Sequence, residues 1–233
     1  MADDNDTTLG LPFEQRAERA LREIVEASGL DVERARAGET SPVLEEPAEV
    51  FRTLAEDEGL PLSERVRGHF FRPGLIEAHW RSGRPGSRMA GEFSLTHILR
   101  AVVENHMDAI WEGEDDWERD LYGQLRFFDD TPGSGTGRMA LLRAAPGAAD
   151  PEVWFFDTRQ GAMPMELDYP GYLDAVLVTK GVMGWQYLYC EPAYSGLGFA
   201  SVSAGLEEMA QTFPVLFPHH DYTDLRTRLE ERL

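Results

Sequence analysis

Cysteine and lysine are almost missing from this chain of 233 residues, which has one of each, Cys190 and Lys180. A single cysteine excludes an intramolecular disulfide framework and a multi-cysteine zinc site. No apolar run approaches the ~18–20 residues needed to span a bilayer. The opening MADDNDTTLG has neither the basic nor the apolar region of a secretory signal, so a cytoplasmic protein without a membrane partner is expected. Positive charge is scarce too, with 22 Lys plus Arg against 42 Asp plus Glu and a formal net charge of −20. That balance argues against a nucleic-acid partner, whose binding rests on neutralising phosphates, and against a polybasic membrane-surface protein. Yet 42% of the residues are hydrophobic, too many for a disordered acidic chain, so a packed core is expected.

The acid is unevenly spread. Residues 1–60 carry 16 acidic and 6 basic side chains, whereas 61–111 reverse the sign with 7 Arg against 5 acids. Residues 112–130 then hold 8 acids and 2 Arg. Two regions therefore carry most of the excess, the N-terminal third and one short central segment.

The first 60 residues read as helical. Phe13, Ala17, Ala20, Leu21, Ile24 and Val25 recur at three- and four-residue spacing, and Gly29 follows as a stop. A polar stretch, ERARAGETSP, precedes a second amphipathic segment with Val43, Leu44, Val50, Phe51 and Leu54, and Pro47 falls near its start. LPLSERVRGHFF suggests a short helix from Ser63, and RPGLIEAHWRSGRPGSR reads as a long connection. MAGEF predicts a short strand, and SLTHILRAVVENHMDAIWE an amphipathic helix capped at Ser94. In the second half, LYGQLRFFDD, RMALLRAA, EVWFFDT and MPMELD read as strands joined by Gly/Pro/Asp turns, which predicts an antiparallel meander. YPGYLDAVLVTKG predicts a helix stopped by Gly181, and two further helices are expected within 203–213 and 221–232.

Searches for catalytic patterns return little. The glycines at 133, 135 and 137 lack the Lys-Ser/Thr ending of a phosphate loop and lie between two strands, where they suit a hairpin turn. No serine sits in a nucleophile elbow, and Cys190 reads as an inert buried thiol. The histidines show no zinc-ligand spacing, and His219, His220 and Asp221 are adjacent without sharing a direction. The Arg-rich connection, Arg65 to Arg88, is expected to pair with the protein's own acid. Neither an enzyme class, a metal nor a cofactor is expected. One constellation points elsewhere. In WEGEDDWERD, Trp111 and Trp117 flank Glu112, Glu114, Asp115 and Asp116, with Asp129 and Asp130 following. Tryptophan supplies buried area at interfaces, while carboxylates steer a basic partner.

The order of segments resembles the SUKH superfamily. LPLSERVRGHFF resembles its early helix, MAGEFSLTHI its strand-then-helix segment, and LRFFDD, RMALLRAA and EVWFFDT its central strands. MELDYPGYLDAVLVTKG and GWQYLYC resemble its closing helix and tail. The resemblance spans 44–190, leaving 1–43 as an N-terminal helical extension and 191–233 as a C-terminal helical segment packed on the domain. It implies a non-enzymatic α+β domain with a mixed or largely antiparallel central sheet flanked by helices. Many members resemble immunity proteins that neutralise a toxin domain of nuclease or deaminase type, which would make the partner a basic protein. Others act as regulatory or scaffold modules, for which the amphipathic N-terminal helices would be the docking elements. Nothing in the sequence sets an oligomeric state.

Overall fold

Residues 12–233 are described by a computed structural model, and the MADDNDTTLG segment lies outside the described residues. In chain order the elements are α1 (Phe13–Glu26), β1 (Leu30–Ala37), α2 (Pro47–Glu56), α3 (Glu64–Arg67), β2 (Leu75–Ser82), β3 (Ala90–Thr96) and α4 (Ile98–Glu104). They continue as α5 (Asp116–Gln124), β4 (Leu125–Asp130), β5 (Arg138–Arg143), β6 (Glu152–Asp157), β7 (Gly161–Asp168), α6 (Tyr169–Thr179), α7 (Pro192–Leu216) and α8 (Thr223–Glu230). The fold is α+β, with two antiparallel sheets ordered β1-β2-β3 and β4-β5-β6-β7. β3 lies alongside β4, and the Ser94 N–H donates to the Asp129 carboxylate across that seam.

Alternation explains the first sheet. Ile76, Ala78 and Trp80 of β2 and Phe93 and Leu95 of β3 point into the core, while Glu77, His79, Glu92 and Ser94 share the other face. Trp80 is fully buried and donates its indole N–H to the Lys180 carbonyl. Its ring lies over Gly91, where a Cβ would come within 2.5 Å of the indole, so glycine is required there. The polar face is not left to water. Arg34 and Arg36 of β1 clamp Glu77, and Glu92 accepts the backbone N–H groups of Gly133 and Ser134 at 2.5 and 2.8 Å. The Gly-rich segment is thus a hairpin turn whose N–H groups are filled by the protein's own carboxylate.

Two sequence expectations need correction here. ERARAGETSP contributes to a strand, β1, hydrogen-bonded to β2, and the presumed long connection contains β2, the central strand of its sheet. Both were hidden because charged residues interrupt their apolar pattern, Arg34 and Arg36 pairing with Glu77 and Arg81 with Glu33 across the two strands. β3 also runs on to Thr96, so Ser94 is a buried strand residue and His97 caps α4, its Nδ1 accepting the Arg100 N–H. α7 begins at Pro192, well before 203, while α6 and α8 fall where the periodicity placed them.

The main core is continuous from α1 to α8. Phe13, Ala17, Ala20, Leu21 and Ile24 of α1 pack in the same cluster as Tyr172, Leu173 and Val176 of α6 and Leu206, Met209 and Phe213 of α7. A boundary at residue 43 therefore cuts through a shared core and a sheet, and α1 with β1 is no appendage. The core also takes up the apolar stripes of α1 and α2, apart from Val25 and the half-buried Phe51. A smaller cluster, Met107, Leu121, Tyr122, Leu125, Leu141, Trp154 and Phe156, holds α5 on the outer face of the second sheet. None of the helices among the described residues is long and apolar enough to cross a membrane.

Candidate functional site

The helix α5 and the turn before it bear most of the aromatic-acidic constellation. Asp115 caps the helix, its Oδ1 accepting the Glu118 N–H at 2.9 Å, and Glu118 reaches back to the Glu114 N–H at 2.7 Å. This reciprocal cap fixes the acids of the first turn where the positive end of the helix dipole favours them. Arg119 folds back to donate to the Gly113 and Glu114 carbonyls and to the Asp116 carboxylate. Gly113 is buried so closely beneath the helix that a Cβ would sit 2.6 Å from the Arg119 nitrogen. The loop is therefore held tightly while its acids project.

Glu112, Glu114, Asp115 and Asp116 are all exposed. Among them Trp117 is 64% exposed, Ile110 53% and Trp111 40%. Trp111 rests edge-on against Phe156, ring centroids 5.3 Å apart, which anchors it in the smaller core. Residues 110–117 thus expose three large apolar side chains together with four carboxylates. Exposed aromatic side chains set among charges are common at interaction surfaces.

Asp129 and Asp130 do not belong to it. They end β4, whose other end adjoins α5, roughly 16 Å away at the rise of an extended strand. A bulge between Phe127 and Asp129 turns both Phe128 and Asp129 inward. Asp129 accepts the Tyr172 hydroxyl at 2.6 Å and the Ser94 N–H at 2.7 Å, and Gln186 donates to the same hydroxyl. Burial pushes its carboxyl up to about 7 despite those bonds. Asp130 is half-buried and its carboxyl is raised, chiefly by burial.

The other sequence candidates resolve simply. Cys190 is buried, its thiol pushed up to about 12 by burial. The Arg-rich region pairs internally, Arg65 with Asp168, Arg72 with Glu14 and Arg81 with Glu33. Among the described residues no three His, Cys, Asp or Glu side chains come together so as to hold a metal ion.

One cluster was invisible in the sequence. Lys180 is fully buried in a left-handed conformation after α6, with Nζ 2.6 Å from Glu23 and 2.7 Å from the Leu177 carbonyl. His220 Nε2 lies 2.8 Å from the same Glu23 oxygen and 3.1 Å from Nζ. Burial opposes ionisation of Glu23, but the bonds from His220 and Lys180 outweigh it and hold the carboxyl at about 2. Burial brings the Lys180 ammonium down to about 8. The three residues lie so far apart in the chain that no local spacing links them. The solitary lysine just ahead of a helix-stopping glycine was the one available signal.

No protein-family model, no curated protein and no solved structure matches the chain.

Proposed function

We propose that this chain is a non-enzymatic binding protein that captures and neutralises a basic protein domain on the surface formed by residues 110–117. One observation carries the reading. Ile110, Trp111 and Trp117 stand exposed in one short segment, beside four exposed carboxylates that no neighbouring element covers. Aromatic anchors set within charge supply affinity after desolvation, and the net charge of −20 raises the rate at which a basic partner arrives. A toxin domain that handles nucleic acid has a basic cleft, and a row of carboxylates can occupy it in place of phosphates. The regulatory or scaffold reading loses its motive, because the apolar faces of α1 and α2 pack inside the fold.

The test is co-purification from the native host, comparing the natural chain with a Trp117→Ala, Glu114→Gln, Asp116→Asn variant. A stoichiometric basic protein, held at low salt, weakened at high salt and lost from the variant, is expected. That protein should arrest growth when expressed without this chain. Retention by the variant, or an acidic partner indifferent to salt, would refute the assignment.

A further inference from the structure

Among the described residues β1 pairs with β2 alone, which leaves it an edge strand, and most of its residues are exposed. The Gly83 N–H donates to the Gly29 carbonyl at 2.9 Å, and the Gly38 N–H donates to the Leu75 carbonyl at 2.7 Å. At each end of β1 the backbone of the flanking glycine thus faces β2. Backbone groups alternate in direction along an antiparallel strand. Counting inward from either glycine, Leu30, Val32, Ala35 and Ala37 turn theirs to the open side. The Leu30 N–H bonds to the Ala27 carbonyl at 3.3 Å, so that residue offers its carbonyl alone. An open row of this kind is a template for another strand.

The strand's text, LDVERARA, is complementary to its own reverse. Set two copies antiparallel about the midpoint between Glu33 and Arg34. Leu30 then lies opposite Ala37, Asp31 opposite Arg36, Val32 opposite Ala35 and Glu33 opposite Arg34. Apolar meets apolar and acid meets base throughout, and the strand is neutral within a chain of net charge −20. Asp31 is exposed, and Arg36 bonds Glu77 through Nε while remaining exposed itself.

A bulge makes that register possible. Residues an odd number apart in a regular strand face opposite sides, whereas residues opposed across a ladder share a side. In β1 the register with β2 shifts between Val32 and Arg34. Val32, Ala35 and Ala37 therefore share the face of Trp80, Ala78 and Ile76, while Asp31, Arg34 and Arg36 share that of Arg81, His79 and Glu77. Leu30 packs against the main core, and Glu33 pairs with Arg81 and His79 on the polar face. Each residue thus lies on the same side as its opposite number. Edge charges and bulges ordinarily keep strands apart, but here both fit a second copy.

We propose that the chain forms a two-fold symmetric dimer through β1, joining two three-stranded sheets into one of six strands. Val32 exchanges backbone bonds with the partner's Ala35, and the Leu30 carbonyl accepts the N–H of the partner's Ala37. On the polar face Asp31 meets the partner's Arg36 and Glu33 meets the partner's Arg34. Two-fold symmetry makes each contact occur twice. A strand of another protein would need the same order of acid, base and apolar residues, which a second copy carries by construction. The proposal does not rest on the 110–117 surface.

Sedimentation of the intact protein over a concentration series should show a reversible monomer–dimer equilibrium. Asp31→Arg sets like charges opposite each other at two places and should weaken the dimer about tenfold while the melting transition persists. Cross-linking reads the register, since the natural Cys190 is buried. In the proposed pairing residue 31 lies opposite the partner's residue 36, whereas the two copies of residue 31 lie roughly 16 Å apart. A mixture of Asp31→Cys and Arg36→Cys proteins, oxidised in air, should therefore give a disulfide-linked dimer that neither variant gives alone. A chain that stays monomeric up to about 1 mM would overturn the proposal, as it would if the edge were kept for a strand of another protein. So would a dimer indifferent to Asp31→Arg, or linking that is no greater in the mixture than in either variant alone.

Discussion

Asp129 shows how much one backbone irregularity can change a side chain's role. In an unbroken strand it would alternate with Phe128 and face water, but the bulge puts both in the core. Its carboxyl then titrates at about 7, well above the ~3.9 of an unfolded aspartate. A folded-state value raised in this way means that the native state holds the proton more tightly. The contribution is complete below about pH 4 and is lost as pH rises through about 7. We predict that stability falls between pH 5 and pH 8 by an amount on the order of a few kcal/mol from this residue. Asp129→Asn, neutral throughout, should flatten that fall. Chemical denaturation of both proteins at the two pH values measures the difference. From the sequence, Asp129 and Asp130 looked like an exposed pair, because a bulge leaves no mark in a six-residue text such as LRFFDD.

At the level of elements, legibility followed how each strand's charges are used. β5 and β6 could be read directly, since RMALLRAA and EVWFFDT are apolar runs closed by turn residues. β1 and β2 could not, because their exposed faces are ladders of Arg and Glu that satisfy one another across the sheet, as Arg34 and Arg36 do with Glu77. α5 was missed for the opposite reason: LYGQ continues the alternation of β4 although it forms the last turn of a helix. Of the site, the Trp111–Trp117 segment was legible because it is local, and the Glu23–Lys180–His220 cluster was not, because only the fold assembles it. The helix α5 rests on a small cluster of its own, separate from the main core. Its amides should therefore exchange with solvent faster than those of α6, which is buried in the main core. Trp117→Ala should change stability by no more than about 0.5 kcal/mol, as an exposed side chain does. Trp111→Ala should cost about 1 kcal/mol, since it also removes the contact with Phe156. Hydrogen exchange and the melting of both variants test this division.

For the whole molecule, the net charge of −20 sets two opposing tendencies. It draws in basic partners and strains the compact state through self-repulsion. The surface ion pairs are each worth little, with a median of about 0–1 kcal/mol, so screening them loses little. Moderate salt should therefore stabilise the protein while weakening its capture of a basic partner. A gain of roughly 1 kcal/mol would raise the melting temperature by about 2–4 °C for a chain of this size. A melting temperature that falls with salt would mean that the ion pairs outweigh the repulsion.

The burial of Lys180 has a practical corollary. It is the one lysine in the chain, and the native fold gives it no contact with solvent. An acylating reagent in solution can reach that side-chain amine only when α1, α6 and the connector before α8 come apart. The rate at which the 180 side chain is acylated would thus be a clock for the opening of the core, read by mass spectrometry from a single peptide.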